Sequence, residues 1–288
     1  MKKTYVIAVS GGVDSMALLH KLSSVKPQNI EYIVAHFDHG IRSDSHEDAA
    51  FVAAVTKSLN YSFELGKASL GEKASEEVAR TARYDFLYSV MKKHKAEGII
   101  TAHHQDDVLE TMIINVLRGT GPKGLIGFTR AHIIRPFMNK TKQDVLSYAT
   151  EHELEWREDS TNTDESYLRN YVRAQLVPKL GGVREKLLII RESVGDLYLE
   201  IDDLTKKLLV SSLRKGELVR SRFVTLPVTI QHELIAAWLR LHEVTFDAKT
   251  ITRIALAIKT LEPGKRIDIT NGASLEMKKE TIHLNIEG

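Results

Sequence analysis

The chain has 288 residues, with 43% apolar residues, 40 basic and 38 acidic side chains and a formal net charge of +2, as in an ordinary globular protein. It contains no cysteine, which excludes disulfides, cysteine-ligated metal centres, catalytic thiols and persulfide carriers. No stretch approaches the roughly 18 apolar residues of a membrane span, and the first apolar run is too short for a signal peptide, so we expect a cytoplasmic protein with no membrane partner.

The first half of the chain alternates short apolar runs with helical patterns. The apolar runs predict strands at residues 5–9, 32–35, 62–65, 99–102 and 133–134. The helical patterns cover residues 15–22, 44–59, 75–95, 106–117 and 142–152. This alternation predicts an α/β fold: a doubly wound, mostly parallel five-stranded sheet with helices on both faces.

From about residue 167 the pattern becomes mostly helical. Residues 167–176 form one helical pattern before Pro178, and residues 184–213 predict a long helix. Near the end, alternating apolar residues flank Asn271-Gly272, a strong signal for a β-hairpin. We therefore predict a catalytic domain over residues 1–204, with a helical extension from about 167, and a smaller α+β domain over 205–288.

A glycine turn connects the first predicted strand to the next helix. Its residues are Ser10, Gly11, Gly12, Val13, Asp14 and Ser15. The glycines let the backbone approach a ligand, and the helix start offers free N–H groups and a positive dipole end, which suit an anion. The turn lacks the Gly-Lys-Ser/Thr of a Walker A loop and the third glycine of a dinucleotide fingerprint. An ordinary capped turn is the alternative, but the context favours a phosphate site.

A carboxylate follows the second predicted strand, in Asp38-His39-Gly40. Ligands of open parallel sheets bind outside the carboxyl ends of the strands. Asp38 and the glycine turn should therefore lie on the same edge. Asp38 is a candidate for proton transfer or metal binding beside the phosphates, with a cap of the following glycine turn as the alternative.

Two carboxylates share one face of the helix after the fourth predicted strand. Asp107 and Glu110 are three residues apart, while apolar residues such as Val108 and Met112 are expected to face the sheet. Two carboxylates near a phosphate site indicate a bound cation, either a metal or a substrate ammonium. A stabilised helix N-terminus is the alternative; a metal held by His103 and Asp107 has too few ligands.

Two pairs of arginines complete the set of candidate residues. Arg80 and Arg83 lie on the helix before the fourth strand, and Arg169 and Arg173 are four residues apart on the predicted extension. Arginine can bind phosphate oxygens through two hydrogen bonds. Solvated helix faces are the alternative for both pairs.

In combination, these motifs resemble a known family. The loop Ser10–Ser15 is similar to the pyrophosphatase loop (PP-loop) of N-type ATP pyrophosphatases, an adenine nucleotide hydrolase-like fold whose members cleave ATP between the α and β phosphates. Over about residues 5–180 the motifs are similar to those of tRNA(Ile)-lysidine synthetases. The matching motifs are His36-Phe37-Asp38-His39-Gly40-Ile41-Arg42, Arg80-x-x-Arg83-Tyr84, Ala102-His103-His104-x-Asp106-Asp107-x-x-Glu110-Thr111, Arg135-Pro136-Phe137, Asp159-Ser160-Thr161-Asn162 and Arg169-Asn170-x-x-Arg173.

The resemblance implies a ligase that joins free L-lysine to C2 of the wobble cytidine in the CAU anticodon of tRNA(Ile). ATP would adenylate the C2 oxygen with release of pyrophosphate, and the lysine ε-amine would then displace AMP. ATP would bind to the loop Ser10–Ser15, with Mg²⁺ on Asp14 or Asp38. The remaining implied roles are catalysis for Asp38, Arg83 and Asp107; lysine binding for Asp107 and Glu110; and tRNA or phosphate contact for Arg80, His104, Arg169 and Arg173.

The C-terminal domain is a candidate tRNA-contacting surface. Residues 206–222 contain six basic residues against one acid, Glu217, which suits a nucleic-acid backbone or a solvated helix face. Three rival functions use a similar loop: a tRNA thiolase, which the absence of cysteine disfavours; an ammonia-using synthetase; and a non-enzymatic nucleotide-binding module. The oligomeric state is open, a homodimer included.

Overall fold

The computed structural model describes residues 2–25, 27–40, 44–68, 71, 76–128, 130–157, 168–270 and 272–286. These residues form two compact units, Met1–Glu192 and Ser193–Gly288. The division at 204/205 made from the sequence stays a prediction. Several residues used in the predictions lie outside the described ranges: Ile41 and Arg42, Ser75, Asp159–Asn162 with Tyr167, and Asn271.

The N-terminal unit is built on a parallel sheet. Its strands are β1 (Lys3–Ala8), β2 (Ile30–Asp38), β3 (Ser62–Lys67), β4 (Gly98–Ile100) and β5 (Ile133–Ile134). They form a five-stranded sheet in the order β3-β2-β1-β4-β5. In the centre, Ile7 of β1 lies between Val34 of β2 and Ile100 of β4, with parallel pairing on both sides. The outer pairs are also parallel, which confirms the predicted doubly wound fold.

Helices cover both faces of this sheet. They are α1 (Val13–Val25), α2 (Ser45–Ser58), α3 (Glu76–Lys93), α4 (Gln105–Leu117), α5 (Lys123–Ile126) and α6 (Lys142–Glu151). Because successive strand residues point to opposite faces, Ile7 and Val34 pack with Leu18 of α1. Val6 of the same strand packs on the other face with Leu87 of α3. Burial on both faces explains the continuous apolar runs of the strands.

Helix α4 packs differently from the prediction. Val108 and Met112 were expected to face the sheet, but they pack with Val172 and Val177, in a cluster without strand residues. Those partners lie in an irregular helical segment that comprises α7 (Leu168–Tyr171), a π-helical turn (Val172–Leu176) and a 3₁₀ turn (Val177–Lys179). The apolar side of α4 therefore anchors this segment beside the carboxyl edge of the sheet.

The predicted long helix is present as α8 (Val183–Ser212), with 30 residues. The division between the two compact units falls within it, between Glu192 and Ser193. Neither α8 nor any other helix among the described residues is long and apolar enough to cross a membrane.

The C-terminal unit combines an antiparallel sheet with helices. Its elements are β6 (Leu213–Arg214), β7 (Glu217–Val219), α9 (Arg220–Val224), α10 (Val228–Leu241), α11 (Ala248–Thr260), β8 (Arg266–Thr270), β9 (Ala273–Met277) and β10 (Thr281–Ile286). The strand order is β6-β7-β10-β9-β8. Ile267 pairs with Leu275 across the predicted hairpin, and Gly272 of its turn has a φ of 82°. The prediction of a smaller α+β region is confirmed.

Candidate active site

The polar residues predicted to share one edge of the sheet follow three neighbouring strands. The turn that starts at Ser10 follows β1, Asp38 ends β2, and His103 and His104 follow β4. A hydrogen bond of 2.9 Å joins the His36 Nδ1 atom on β2 to the carbonyl oxygen of Val9 after β1. Since parallel strands end at the same edge, the topology gathers these segments where a ligand of this fold binds.

The Ser15 hydroxyl shapes the glycine turn. Its Oγ accepts hydrogen bonds from the backbone N–H groups of Ser10 (3.1 Å) and Gly11 (3.2 Å) and donates one to the Gly12 carbonyl (2.9 Å). Gly11 has a φ of 92°, in the region that favours glycine. The Met16 N–H donates to the Gly12 carbonyl and closes the first turn of α1. The positive end of the α1 dipole thus lies directly at the turn, as an anion site requires.

Asp14, in the first turn of α1, lies close to Lys142 and His104. The Lys142 Nζ atom lies 2.6 Å from Asp14 Oδ1, and the His104 Nε2 atom lies 3.7 Å from Asp14 Oδ2. Burial raises the pKa of Asp14, but its contacts with His104 and Lys142 outweigh burial and lower it overall. For His104, burial lowers the pKa, while Asp14 and Asp107 outweigh burial and raise it. Asp14 is therefore an ionised carboxylate at the start of α1.

Sequence reasoning missed Lys142. It occupies the first position of α6, directly after Thr141, whose side chain caps the helix by accepting a hydrogen bond from the backbone N–H of Asp144. Nothing in that local pattern marks the lysine, because a basic residue beside a helix cap is common on solvated surfaces. Its proximity to Asp14 depends on α6 packing beside α1, which is a tertiary feature.

Asp38 is a buried carboxylate at the end of β2. Its Oδ1 atom accepts a hydrogen bond of 2.9 Å from the Gly40 N–H. Burial raises the pKa of Asp38, but the Gly40 amide and the Ser45 hydroxyl outweigh burial and lower it overall. An ionised carboxylate in this position can accept a proton or bind a cation.

The carboxylates at this edge suit a magnesium ion that is bound partly by the protein and partly by the phosphate oxygens of a ligand. Within the described ranges, no group of three or more histidine, aspartate or glutamate side chains could hold a metal ion by itself. Mg²⁺ usually takes only one or two protein carboxylates, together with phosphate oxygens and water. Asp14 lies in the glycine turn Ser10–Ser15 and Asp38 at the end of the neighbouring strand, and each offers one such carboxylate.

The acidic face of α4 contacts Arg173. Glu110 is completely buried, and its two carboxylate oxygens accept hydrogen bonds of 2.7 and 2.9 Å from Arg173 Nε and Nη2. Arg173 Nη2 also lies 3.5 Å from Asp107 Oδ1, and Arg169 Nη1 lies 3.7 Å from Glu110. Burial raises the pKa of Glu110, and Arg173 opposes that rise only in part. Asp107 and Glu110 thus both contact the guanidinium group of Arg173. The metal or ammonium ion that the sequence predicted for this pair stays a prediction.

Asp106 of the same helix is engaged elsewhere. Its Oδ1 atom lies 2.6 Å from Arg184 Nη2 on α8, and its Oδ2 atom accepts a hydrogen bond of 2.6 Å from the Lys142 N–H. Arg184 also donates to the Gln105 side chain. Asp106 therefore holds α4, α6 and the start of α8 together.

Three arginines surround the buried ring of Tyr84 on α3. The guanidinium carbons of Arg80, Arg83 and Arg130 lie 5.1, 5.5 and 4.3 Å from the ring centroid. Burial, together with the charges of Arg83 and Arg169, lowers the pKa of Arg80. Positive charge is thus concentrated here, and an anion such as a phosphate would relieve the repulsion.

His103 and Arg135 extend this positive region towards β4 and β5. His103 Nδ1 lies 2.8 Å from the Thr101 hydroxyl, and the His103 ring centroid is 5.0 Å from that of Phe128. Burial and then the charges of Arg83 and other arginines hold the pKa of His103 well below its usual value, so this imidazole is neutral. Arg135 lies over Phe128 at 4.9 Å, and its Nε and Nη2 atoms are buried without a hydrogen-bond partner among the described residues.

We define the arginine cluster as Arg80, Arg83, Arg130 and Arg135. Only Arg80 and Arg83 were predicted as site residues. Arg135 occurs in the Arg135-Pro136-Phe137 motif, which could have marked it, whereas Arg130 carries no sequence signal. The site therefore combines a helix N-terminus and an arginine cluster suited to anions, a carboxylate suited to proton transfer, and an acidic pair that binds a cation.

Several basic residues of the C-terminal stretch 206–222 have partners inside their own unit. Arg214 pairs with Glu280 at 2.9 Å, Arg220 donates to the Leu261 carbonyl after α11, and Arg222 donates to the Ser211 carbonyl. These contacts give the three arginines structural roles. The proposed tRNA contact of this stretch stays a prediction.

Comparisons with known proteins agree with this arrangement. Residues 1–180 match a family described as a PP-loop domain. A tRNA(Ile)-lysidine synthase of Bacillus subtilis (strain 168) is 33% identical over 250 residues, which are 79% of this chain and 53% of that relative. The tRNA(Ile)-lysidine synthase of Thermotoga sp. (strain RQ2) is 40% identical over 182 residues, which are 60% of this chain and 44% of that relative. The chain thus spans about half the length of the curated relatives it matches.

A solved structure gives independent support for the fold. The U34-tRNA thiolase NcsA from Methanococcus maripaludis, determined with its 4Fe–4S cluster, aligns with a TM-score of 0.57 at 15% identity. The alignment covers 68% of this chain and 72% of the thiolase. At this identity the likeness concerns the fold alone.

Proposed function

Because the chain belongs to the PP-loop domain family, we propose that it is a ligase that joins free L-lysine to the wobble cytidine of tRNA(Ile) with a CAU anticodon. The reaction consumes ATP and yields lysidine, AMP and pyrophosphate. Curated relatives with 33% and 40% identity, both named tRNA(Ile)-lysidine synthase, support the assignment. The observation that carries it is the completely buried carboxylate of Glu110, on the helix that follows β4, which is paired with the guanidinium group of Arg173.

In the first step, the loop Ser10–Ser15 binds the ATP phosphates and the departing pyrophosphate. The C2 oxygen of cytidine bonds to the α-phosphorus while the bond from that phosphorus to the bridging oxygen breaks. A Mg²⁺ ion, held by Asp14 or Asp38 together with phosphate oxygens, would neutralise phosphate charge when bound. As the C2 oxygen bonds to phosphorus, the cytosine ring becomes cationic and Asp38 accepts a proton from its amino group. Lys142 beside Asp14 adds positive charge close to the loop.

The arginine cluster stabilises the charge that develops at phosphorus. Arg83 and Arg80 face the same ring of Tyr84, so their guanidinium groups are oriented before a substrate binds, which favours electrostatic stabilisation of a transition state. The neutral His103 lies within this cluster and can accept a hydrogen bond without adding charge. His104 and Arg169 provide further contacts to phosphate or to the tRNA.

In the second step, Asp107 and Glu110 bind the side-chain nitrogen of lysine. The ammonium group first gives a proton to the Asp107 carboxylate, and the neutral nitrogen then attacks C2. The bond from C2 to the oxygen breaks, and AMP leaves with that oxygen. An ammonium ion is the natural ligand of two carboxylates that share a helix face. Glu110 gains most from such a ligand because its charge is completely buried.

The tRNA is the largest substrate and requires a positive surface. We propose that residues 205–288 contribute to this surface, with Lys206 and Lys215 on the basic stretch as the residues to test first. We also propose that the reaction takes place in the cytoplasm. The chain could act as a homodimer, and size-exclusion chromatography with light scattering distinguishes a homodimer from a monomer.

The decisive experiment incubates the full chain with ATP, Mg²⁺, radiolabelled L-lysine and a tRNA(Ile) transcript with a CAU anticodon. We expect label in the tRNA and one pyrophosphate released per lysine incorporated. A transcript with uridine at the wobble position is the matched control and should stay unlabelled. Binding of ATP without incorporation of lysine into the CAU transcript would overturn the proposal.

A further inference from the structure

The cation that Glu110 holds in this structure belongs to the protein itself. Arg173 Nε and Nη2 donate to both oxygens of the Glu110 carboxylate, at 2.7 and 2.9 Å. The same Nη2 atom lies 3.5 Å from Asp107 Oδ1. One guanidinium group therefore occupies the two carboxylates to which the proposed function assigns the lysine ammonium.

This pairing satisfies an electrostatic requirement of the ligand-free protein. The side chain of Glu110 is 1% exposed, whereas that of Arg173 is 41% exposed. A buried carboxylate without a partner is strongly unfavourable, and a paired one is tolerated. Removal of the guanidinium without a replacement would leave Glu110 with only the more distant Arg169, whose Nη1 atom lies 3.7 Å away. An incoming ammonium ion would restore the balance, but it competes with Arg173, which already occupies both oxygens of Glu110.

The backbone under Arg173 is suited to release the side chain. Arg173 lies in the π-helical turn Val172–Leu176, between the four-residue helix α7 and a 3₁₀ turn. π-helical turns of this kind are often found at functional sites. In this segment Val172 and Val177 are buried and pack with α4, so they anchor the backbone while the Arg173 side chain reaches Glu110 from the exposed side.

We infer that Arg173 is an internal substitute for the substrate ammonium, which fills the Asp107–Glu110 pair until lysine displaces it. The inference rests on the proposed function, because it assigns the same pair to lysine. It has two consequences. Arg173 lowers the apparent affinity for lysine by the fraction of molecules in which it occupies the pair. Lysine entry also frees a guanidinium group for an anion, and the nucleotide phosphate is the anion that the reaction supplies.

The first test measures lysine binding to the full chain by isothermal titration calorimetry. We compare the wild type with Arg173→Lys, which keeps a cation at position 173, and Arg173→Met, which removes it. Arg169, 3.7 Å from Glu110, is present in all three proteins. The dissociation constant for lysine should fall in the order wild type, Arg173→Lys, Arg173→Met, by about tenfold in total if one molecule in ten has a free pair. Arg184→Met, which removes the pair with Asp106 on the same helix, is the matched control and should change the constant less than twofold.

The second test needs no destabilising variant. In the wild type, the Arg173 Nε–H resonance, assigned by its loss in Arg173→Lys, should be protected from solvent exchange without lysine and lose that protection when lysine saturates the site. Unchanged or weaker lysine binding by Arg173→Met would overturn the inference, as would protection that persists at saturation. If the wild type incorporates lysine into tRNA but either result occurs, the inference alone fails. If the wild type neither binds nor incorporates lysine, the proposed function fails and the inference with it.

Discussion

The two compact units of the chain differ in the polar groups that they bury. Among the described residues, the N-terminal unit buries ionisable side chains at the carboxyl edge of its sheet: His36, Asp38, His104 and Glu110. The described part of the C-terminal unit buries only neutral polar residues: Ser212, Gln231 and Thr281. Its core is apolar around Trp238, which is completely buried.

This difference indicates that the buried residues of the two units have different roles. Burial of a charge is unfavourable unless partners compensate it, and an apolar side chain of similar volume is often as stable or more so. A set of buried ionisable groups at one sheet edge is therefore not explained by stability, and such groups are concentrated at functional sites. The C-terminal unit has the composition of a region whose core serves packing. Substitutions of the buried ionisable groups of the first unit should mainly change chemistry, and substitutions in the core of the second should mainly change stability.

The largest expected effect concerns the core of the C-terminal unit. Trp238→Ala should lower the free energy of unfolding by about 3–5 kcal/mol, as for other large aromatic residues in a core. Trp238→Phe should cost much less, because the Trp238 Nε1–H has no hydrogen-bond partner among the described residues and its loss removes an unsatisfied donor. Urea titration followed by circular dichroism measures both values. Trp156 remains as a fluorescent reporter in the N-terminal unit.

Trp238→Ala also tests whether the core of the C-terminal unit affects stability without affecting ATP binding. At a temperature where Trp238→Ala is still folded, it should bind ATP with an affinity within about threefold of the wild type, since the loop Ser10–Ser15 belongs to the other unit. A loss of less than about 1 kcal/mol, or a loss of ATP binding without unfolding, would contradict the comparison.

The next largest effect is expected on the reaction rate, without a change in stability. Asp38→Asn keeps an oxygen that can accept the Gly40 N–H hydrogen bond, but it removes the proton acceptor. General-base groups contribute about 100- to 10,000-fold to rates, so the rate of pyrophosphate release in the presence of ATP and tRNA should fall about thousandfold. The thermal midpoint should stay close to that of the wild type. Near-normal pyrophosphate release would remove Asp38 from the reaction.

The architecture of the N-terminal unit was predictable because it depends on local patterns. Strands that are buried on both faces have continuous apolar runs, and strands that alternate with helices along the chain indicate a parallel sheet. The failure at α4 is instructive. Val108 and Met112 give the correct buried side of the helix, but periodicity cannot say whether a sheet or the segment around Val172 covers it.

The site was predictable in its parts but not in its pairing. The positions of the glycine turn, Asp38 and the acidic face of α4 were predictable, because each directly follows a predicted strand and the strands are parallel. Arg173 and Glu110 are 63 residues apart along the chain, and Lys142 and Asp14 are 128 residues apart, so no local pattern connects them. The sequence assigned Arg173 to tRNA or phosphate contact, which stays a prediction; in this structure Arg173 binds the carboxylate of Glu110.

A smaller effect should follow from Glu110→Gln, which removes the buried charge and keeps the shape. Charge-assisted hydrogen bonds contribute about 1.5–3 kcal/mol, so kcat/KM for lysine should fall about 30-fold while the KM for ATP changes less than about threefold. The free energy of unfolding should change by about 1 kcal/mol or less, because the loss of the bond to Arg173 is offset by the relief of a buried charge. Steady-state kinetics with each substrate varied in turn measures the effect. An equal rise in both KM values would argue against an ammonium site.

The smallest expected effect concerns two adjacent histidines of the N-terminal unit. Burial and the nearby arginines hold the pKa of His103 well below its usual value. Burial also lowers the pKa of His104, but Asp14 and Asp107 outweigh burial and raise it overall. In an unfolded chain both titrate near pH 6.5. The neutral His103 therefore stabilises the fold above about pH 6.5, and this contribution is lost as the pH falls towards the lowered pKa.

For His104 the sign is reversed. Its charged form is favoured in the folded protein, so its contribution is complete below about pH 6.5 and is lost as the pH rises through the raised pKa. Urea titrations in a pH series from 5 to 8 should show this as differences from the wild type. His103→Gln should remove a rise of stability with pH below 6.5, and His104→Gln should remove a decline above it, each by about 1 kcal/mol or less. Imidazole titration by NMR checks the two pKa values directly. Changes of the same sign in both variants would show that the carboxylates and the arginines do not divide this edge of the sheet into an anionic and a cationic side.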